Sequence, residues 1–240
     1  MTRFAGPSPA FTRENRTFLR SNVGISPEEM VAWEEDFLGN ATVPERFTTV
    51  EVALNTAIAV VDGVGPGVMR LLFDADANAE DAVLYHGDIR GFDVSKALLF
   101  ECRAACHVVP TLTSQIVFGM CGDHNLDKDA ATESAWFKLD GSAVLLCESD
   151  DTTTNVDDED ADSTTLVADA MHVFQIDFRT LADVKFYVDG ANVGTGATFD
   201  MSALTAAESF MQPYFSIDKG ADAGLGSLDI DYVKIWQTRT

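Results

Sequence analysis

Apolar and polar residues alternate along much of this chain, which is the pattern of β-strands that bury one face. A clear example spans residues 98–107, where every second residue is apolar. The apolar set, which we expect to face the core, is Leu98, Phe100, Cys102, Ala104 and Cys106. About a dozen such segments occur, with turn signals between them, and no long repeat recurs, so the pattern predicts an all-β domain.

Two Asp-Gly pairs lie where hairpin turns are expected. Asp189-Gly190 follows an alternating segment at 184–188, and Asp140-Gly141 separates segments at 135–139 and 142–147. An Asp-Gly pair accepts the positive φ angles that a tight hairpin needs. Both places are therefore predicted to be two-stranded antiparallel hairpins.

The last predicted strand, residues 227–237, changes its pattern part-way along. Leu228, Ile230 and Tyr232 share one face, whereas Val233 and Ile235 lie on the other. Either both faces of this strand are covered, or a bulge changes its phase near Tyr232.

These two elements together carry a resemblance to a known superfamily. A Phe-Tyr-Val-Asp-Gly hairpin at 186–190, followed by Asp-Tyr-Val-Lys-Ile-Trp at 231–236, resembles the concanavalin A-like lectin/glucanase jelly roll. That superfamily includes laminarinase-type glucanases and laminin-G-like domains, and the match covers about the last quarter of the chain. The resemblance implies an antiparallel β-sandwich of the jelly-roll type.

The start of the chain reads differently from the rest. Ser26-Pro27-Glu28-Glu29 has the form of a capping box, which predicts a short helix through Trp33. We therefore expect two parts: residues 1–33, an irregular N-terminal arm with a short helix, and residues 34–240, the jelly-roll domain.

The net charge of −23 argues against nucleic acid and anionic membranes as partners, because both are polyanions. No apolar run approaches the roughly 20 residues of a membrane helix, and the first residues lack the pattern of a signal peptide. We expect neither a membrane span nor an export signal.

The charge is divided between the arm and the body. Residues 1–23 carry four arginines and one glutamate, a net of +3, which leaves −26 for the remainder. The predicted partner-binding residues of the arm are Arg3, Phe4, Phe11, Arg13, Arg16, Phe18 and Arg20. The arm could wrap its own acidic body or bind a neighbouring subunit through charge-assisted contacts, and we favour the neighbour.

Candidate metal sites are few. Asp74, Asp76, Asn78 and Glu80 place oxygen ligands at alternate positions, as a Ca²⁺ loop does, although Ala79 stands where an EF-hand has glycine. The acidic run 157–162 reads as a solvated loop. The four cysteines are expected to be reduced and buried, with zinc binding at Cys102, Cys106, His107, Cys121 or His124 as an alternative.

The resemblance also implies a test for catalysis. Laminarinase-type enzymes carry Glu-x-Asp-x-x-Glu on one strand, and a retaining hydrolase needs two carboxylates about 5 Å apart. The triplet is not found, Glu148 standing alone at a strand edge, and we expect no enzymatic activity.

We therefore expect a virion structural protein, a capsid decoration or minor head protein made in the host cytoplasm and docked through its arm onto capsid subunits or copies of itself. The alternative is a lectin-like module that binds glycans, with a β-glucanase-type hydrolase ranked below it. Sugar rings would stack on Tyr85, Trp136, Tyr187 or Tyr214.

Overall fold

The computed structural model describes residues 30–38, 43–52, 56–61 and 67–239. Within these ranges the chain is almost entirely β-structure, with one-turn 3₁₀ helices at Lys128–Ala130 and Leu181–Asp183. The strands are β1 (Met30–Glu35), β2 (Thr48–Val52), β3 (Ala57–Val61), β4 (Val68–Leu72), β5 (Glu80–Tyr85), β6 (Phe92–Asp93), β7 (Leu99–Val108), β8 (Gln115–Cys121), β9 (Glu133–Asp140), β10 (Val144–Asp151), β11 (Asn155–Thr165), β12 (His172–Asp177), β13 (Lys185–Val188), β14 (Ala191–Val193), β15 (Phe210–Lys219) and β16 (Ser227–Thr238).

The strands form two antiparallel sheets. The first has the order β14-β13-β12-β7-β16-β4-β3, and β1 pairs with the second half of β16. The second has the order β11-β10-β9-β8-β15-β5-β2, and β6 pairs with the start of β15. The predicted all-β antiparallel sandwich is confirmed.

The core lies between the two sheets, where the apolar residues of each alternating strand meet. The apolar set of residues 98–106 is buried there, as predicted. Aromatic rings join the layers: Phe174 of the first sheet contacts Phe118 and Phe137 of the second, with ring centroids 4.7 and 5.1 Å apart. Edge-to-face contacts of this kind add to the energy of burial.

The turn and bulge predictions are confirmed. Asp189 and Gly190 both have positive φ angles, 50° and 80°, as the tight turn between β13 and β14 requires. In β16 the register with β7 shifts between Ile230 and Tyr232, so a bulge changes the face on which the apolar residues lie.

Two local predictions are wrong. Residues 30–33 form part of β1, whose pairing with β16 overrides the helical capping signal, while residues 26–29 lie outside the described residues. The acidic run at 157–162 is not a loop but part of the edge strand β11. Charged side chains suit an edge strand, because they discourage pairing with another chain.

All four cysteines are free and buried, as expected. Burial raises the pKa of Cys106 to about 12, so its thiol stays protonated. The zinc alternative finds no support: among the described residues no three His, Cys, Asp or Glu side chains are grouped to hold a metal ion. No helix of the described ranges is long and apolar enough to cross a bilayer.

Candidate functional site

The outer face of the second sheet carries a small apolar layer of its own. Its buried members are Val83, Tyr85, Val117, Cys121, Trp136 and Tyr214, and Ala131 from the connection between β8 and β9 packs on them. Trp136 and Tyr214 lie on the two strands that flank Gly119, and their ring centroids are 5.9 Å apart. Although these residues lie on an outer face, the chain itself covers them.

Residues 122–132, which we call the covering segment, cross this face between β8 and β9. The Tyr214 hydroxyl donates to the carbonyl oxygen of Asn125 at 3.1 Å, and the His124 ring stacks on Tyr85 at 4.7 Å. Lys128 is buried and reaches down to Asp218, 3.2 Å away. These contacts fix the segment to the sheet at three places.

The covering segment decides where the predicted sugar-stacking residues lie. Tyr85, Trp136 and Tyr214 come together beneath it, and each is at most 7% exposed. Tyr187 lies on the first sheet, away from the other three. A sugar could stack on the buried rings only if the covering segment moved. Sugar stacking on these residues therefore stays a prediction.

Beside the covered rings lies a charged cluster formed by Lys138, Glu148 and Asp158. Lys138 Nζ is 2.7 Å from Glu148 Oε1 and 3.0 Å from Asp158 Oδ1. The Trp136 indole N–H donates to Glu148 Oε2 at 2.7 Å. Lys138 and Glu148 are buried, whereas the Asp158 side chain is 56% exposed. Solvent therefore reaches the cluster through Asp158.

A bulge in β11 brings Asp158 into this cluster. Cys147 pairs with Glu159 and Ser149 with Val156, so two residues of β11 face the single residue Glu148. Asp158 has a positive φ of 52°, and its backbone N–H donates to Glu148 Oε1 at 3.3 Å. Bulges are common beside functional sites, where they redirect a side chain.

The two carboxyl groups of the cluster differ in acidity. Burial raises the pKa of Glu148, against hydrogen bonds from Lys138 and Trp136. Burial acts in the same direction on Asp158, but hydrogen bonds with Lys138 and Glu148 outweigh it and lower the pKa of Asp158. Burial also works against the charged form of Lys138, yet its contacts with Glu148 and Asp158 raise the pKa of Lys138. A pair whose pKa values are pushed apart is typical of an acid/base site.

The separation of the two carboxyl groups has an upper limit. Both oxygens contact the same Lys138 nitrogen, at 2.7 and 3.0 Å, so they lie no farther apart than the sum, 5.7 Å. Retaining glycosidases hold their two carboxyl groups about 5 to 5.5 Å apart. Glu148 and Asp158 therefore lie at that separation or closer, and a hydrogen bond between their side chains acts on both pKa values.

A narrow groove runs alongside the cluster, between the turn at 128–130 and the hairpin of β10 and β11. Its free volume is about 10 Å³, which is the size of one water molecule. Ser134, Trp136 and Glu148 line its floor, and Asp150, Asn155 and Asp157 line its mouth. Burial, with the neighbouring Asp151 and Asp157, raises the pKa of Asp150.

The other predicted site residues lie elsewhere. Of the calcium loop, Glu80 is buried and faces Lys219, while Asp76 and Asn78 are exposed, so the four side chains do not converge. The predicted arm residues, Arg3, Phe4, Phe11, Arg13, Arg16, Phe18 and Arg20, lie outside the described residues.

No protein-family model and no curated protein sequence matches the chain, whereas solved structures do. A protein of unknown function, SO2946 from Shewanella oneidensis MR-1, is similar over 97% of both chains, with a TM-score of 0.61 and 10% identity. SCLam, a non-specific endo-β-1,3(4)-glucanase of family GH16, is similar over 89% of this chain and 93% of its own, with a TM-score of 0.60 and 14% identity. The Emp47p carbohydrate recognition domain follows, with 89% and 96% coverage, a TM-score of 0.58 and 14% identity. This chain has a concanavalin A-like jelly-roll fold.

The comparison corrects one expectation from the sequence. The prediction of no enzymatic activity rested on the missing Glu-x-Asp-x-x-Glu triplet, and it is contradicted by the likeness to glycoside hydrolases such as SCLam. Glu148 and Asp150 have the spacing of the first two carboxylates of that triplet, and Thr153 stands at the third. A missing motif is therefore no ground for excluding catalysis on this concanavalin A-like domain.

Sequence reasoning missed the cluster because its members come from three strands. Glu148 was noted only as a carboxylate at a strand edge, and Asp158 was assigned to a solvated loop. One signal was present: Trp136, Lys138 and Glu148 all lie at polar-face positions of the hairpin predicted around Asp140-Gly141.

Proposed function

We propose that this chain is a carbohydrate-active domain that binds a glycan across the mouth of the groove and hydrolyses a glycosidic bond there. Glu148 would act as the acid, and Asp158 would be the opposing carboxylate. The observation that carries the proposal is this pair, at most 5.7 Å apart and with pKa values shifted in opposite directions.

The fold and the groove support the same conclusion. The names of two similar structures specify a β-1,3(4)-glucanase and a carbohydrate recognition domain. The groove holds about one water, so the sugar must lie over its mouth, where Asp150, Asn155 and Asp157 offer hydrogen bonds to hydroxyl groups. Buried charged groups contribute little net stability, which favours a functional reason for keeping them.

The test uses the purified full chain with β-1,3-glucan, mixed-linkage β-1,3/1,4-glucan and an array of other glycans. We expect the wild type to bind and cleave at least one of them. Glu148→Gln and Asp158→Asn should each lower the hydrolysis rate by about 10²- to 10⁴-fold, the usual contribution of acid–base catalysis. Binding should change far less, because both substitutions conserve shape.

Asp160→Asn is the matched control, since Asp160 is an exposed aspartate on the same strand and, unlike Asp158, is not a partner of Lys138. It should leave both binding and hydrolysis unchanged. Binding without hydrolysis in the wild type would overturn the catalytic half of the proposal. No binding to any glycan tested would overturn both halves.

A second candidate is the predicted role in a virion, with the arm bound to a neighbouring subunit. Six exposed aliphatic residues support it, because they gather at the end of the sandwich where β15 passes to β16. They are Val52, Leu72, Leu112, Val144, Val167 and Leu225. The strand β1, which follows the arm in sequence, begins at the opposite end, about 36 Å away along β16. Neighbouring copies stacked head to tail would bring the basic, Phe-containing arm to this apolar end.

Deletion of residues 1–25 tests this second candidate. We expect the full chain to self-associate in light-scattering chromatography, and the shortened chain to be a folded monomer by the same measurement and by circular dichroism. Leu112→Ser with Val167→Ser should weaken the association as the deletion does. A shortened chain that associates as fully as the wild type would contradict the proposed role of the arm.

A further inference from the structure

Lys219, the last residue of β15, places its ammonium group inside a ring of oxygen atoms. Its side chain is completely buried. The nitrogen lies 2.6 and 2.7 Å from the carbonyl oxygens of Asp74 and Asp76, and 3.1 Å from Glu80 Oε1. An ammonium group has three donors, and each of them has an acceptor here.

The ring is supplied by residues 74–80, which comprise the end of the connection between β4 and β5 and the first residue of β5. The oxygens come from residues 74, 76 and 80, and backbone carbonyls together with a carboxylate are the ligand types with which a loop surrounds Ca²⁺. A second carboxylate oxygen, Asp74 Oδ1, lies 3.8 Å from the same nitrogen.

Residues from other parts of the chain also contact the pair formed by Lys219 and Glu80. Thr56 Oγ1 donates to the carbonyl oxygen of Val52 at 2.9 Å and contacts Glu80 Oε2 at 3.5 Å. Lys219 itself pairs with Glu80 across β15 and β5, and its nitrogen lies 5.1 Å from the centre of the Phe73 ring. The ammonium group therefore holds the loop against the sheet from inside.

We propose that loop 74–80 is a cation-binding loop whose resident cation is the ammonium group of Lys219, and that the loop takes up Ca²⁺ when that group is removed. In the intact chain the lysine fills the site, so folding needs no metal ion there. In Lys219→Ala the two carbonyl groups and the carboxylates of Asp74 and Glu80 would become ligands of the kinds that Ca²⁺ prefers.

Thermal unfolding with and without Ca²⁺ tests the proposal. The melting temperature of the wild type should be the same in EDTA and in millimolar Ca²⁺. Lys219→Ala should melt about 10 °C lower in EDTA, because Glu80 is left buried without its partner. Ca²⁺ should recover about half of that loss or more. Lys219→Met should lose as much and recover nothing, since the methionine side chain fills the site.

Lys185→Ala is the control, because Lys185 is partly exposed and pairs with Asp183 far from the loop. It should show no response to Ca²⁺. The proposal is overturned if folded Lys219→Ala ignores Ca²⁺, or if Ca²⁺ stabilises the wild type and no longer does so in Glu80→Gln. If Lys219→Ala is unfolded in EDTA, recovery of the fold in Ca²⁺ supports the proposal. The proposal is overturned if Lys219→Ala stays unfolded in Ca²⁺ although the double variant, Lys219→Ala with Glu80→Gln, folds without Ca²⁺.

Discussion

Lys138→Met is expected to destabilise the protein by about 3 to 5 kcal/mol at pH 7, because it leaves Glu148 buried without its cation. Glu148→Gln should cost less, since Lys138 keeps Asp158 as a partner. The double substitution Lys138→Met with Glu148→Gln removes both buried charges and should lie within about 2 kcal/mol of the wild type. Urea unfolding of the four proteins measures these differences.

The loss in Lys138→Met should depend on pH. Burial raises the pKa of Glu148, and removing the lysine takes away a contact that opposes this rise. When folding raises the pKa of a carboxyl group, the stability that the group contributes is fully present below its unfolded pKa, about 4.5. That contribution is lost as the pH rises through the pKa of the folded state. Lys138→Met should therefore regain stability on acidification from pH 7 toward pH 4.5. A loss below about 1 kcal/mol, or one independent of pH, would contradict this account of the cluster.

Gly119→Ala is expected to be the most damaging single methyl addition on the outer face of the second sheet. A Cβ atom at this position would lie 2.4 Å from the Ala135 carbonyl oxygen and 2.7 Å from Trp136 Cα. Both obstacles are backbone atoms, so β8 and β9 would have to separate. We expect a cost of about 3 kcal/mol or more.

The effect of Gly119→Ala should reach the charged cluster, because Trp136 pairs with Gly119 and donates to Glu148. Urea unfolding measures the stability, and the near-ultraviolet circular dichroism of the tryptophans reports the displacement. Gly190→Ala is a useful contrast, since nothing lies within 4 Å of an added Cβ there and only its positive φ opposes the change. If Gly119→Ala proved as stable as the wild type, the close approach of β8 and β9 would not be a constraint.

Local patterns were sufficient for most of the strands but not for the site. Period-two alternation predicts β7, β13 and β16, because each buries one face against the other sheet, and the phase change near Tyr232 predicts the bulge. The strand β1 could not be predicted in this way, since its pairing with the far end of β16 outweighs a helical start signal.

The cluster depends on relations that a single strand does not show. Asp158 reaches Glu148 only because β11 has an extra residue opposite it, and the acidic run there resembles a solvated loop. In the same way, the alternating oxygens of residues 74–80 are visible in the sequence, but Lys219, which fills the space between them, is 139 residues further along the chain than Glu80. Sequence spacing identified the anions and could not identify their cation.

The pairing of β1 with β16 has a mechanical consequence. Residues 1–29 are joined directly to β1, and β1 lies along one of the inner strands of the first sheet with six residues in register. A pull on the N-terminal segment along the strand axis would load these hydrogen bonds together in shear, rather than opening them one after another. Tension on that segment would thus be passed to β16, an inner strand of the first sheet.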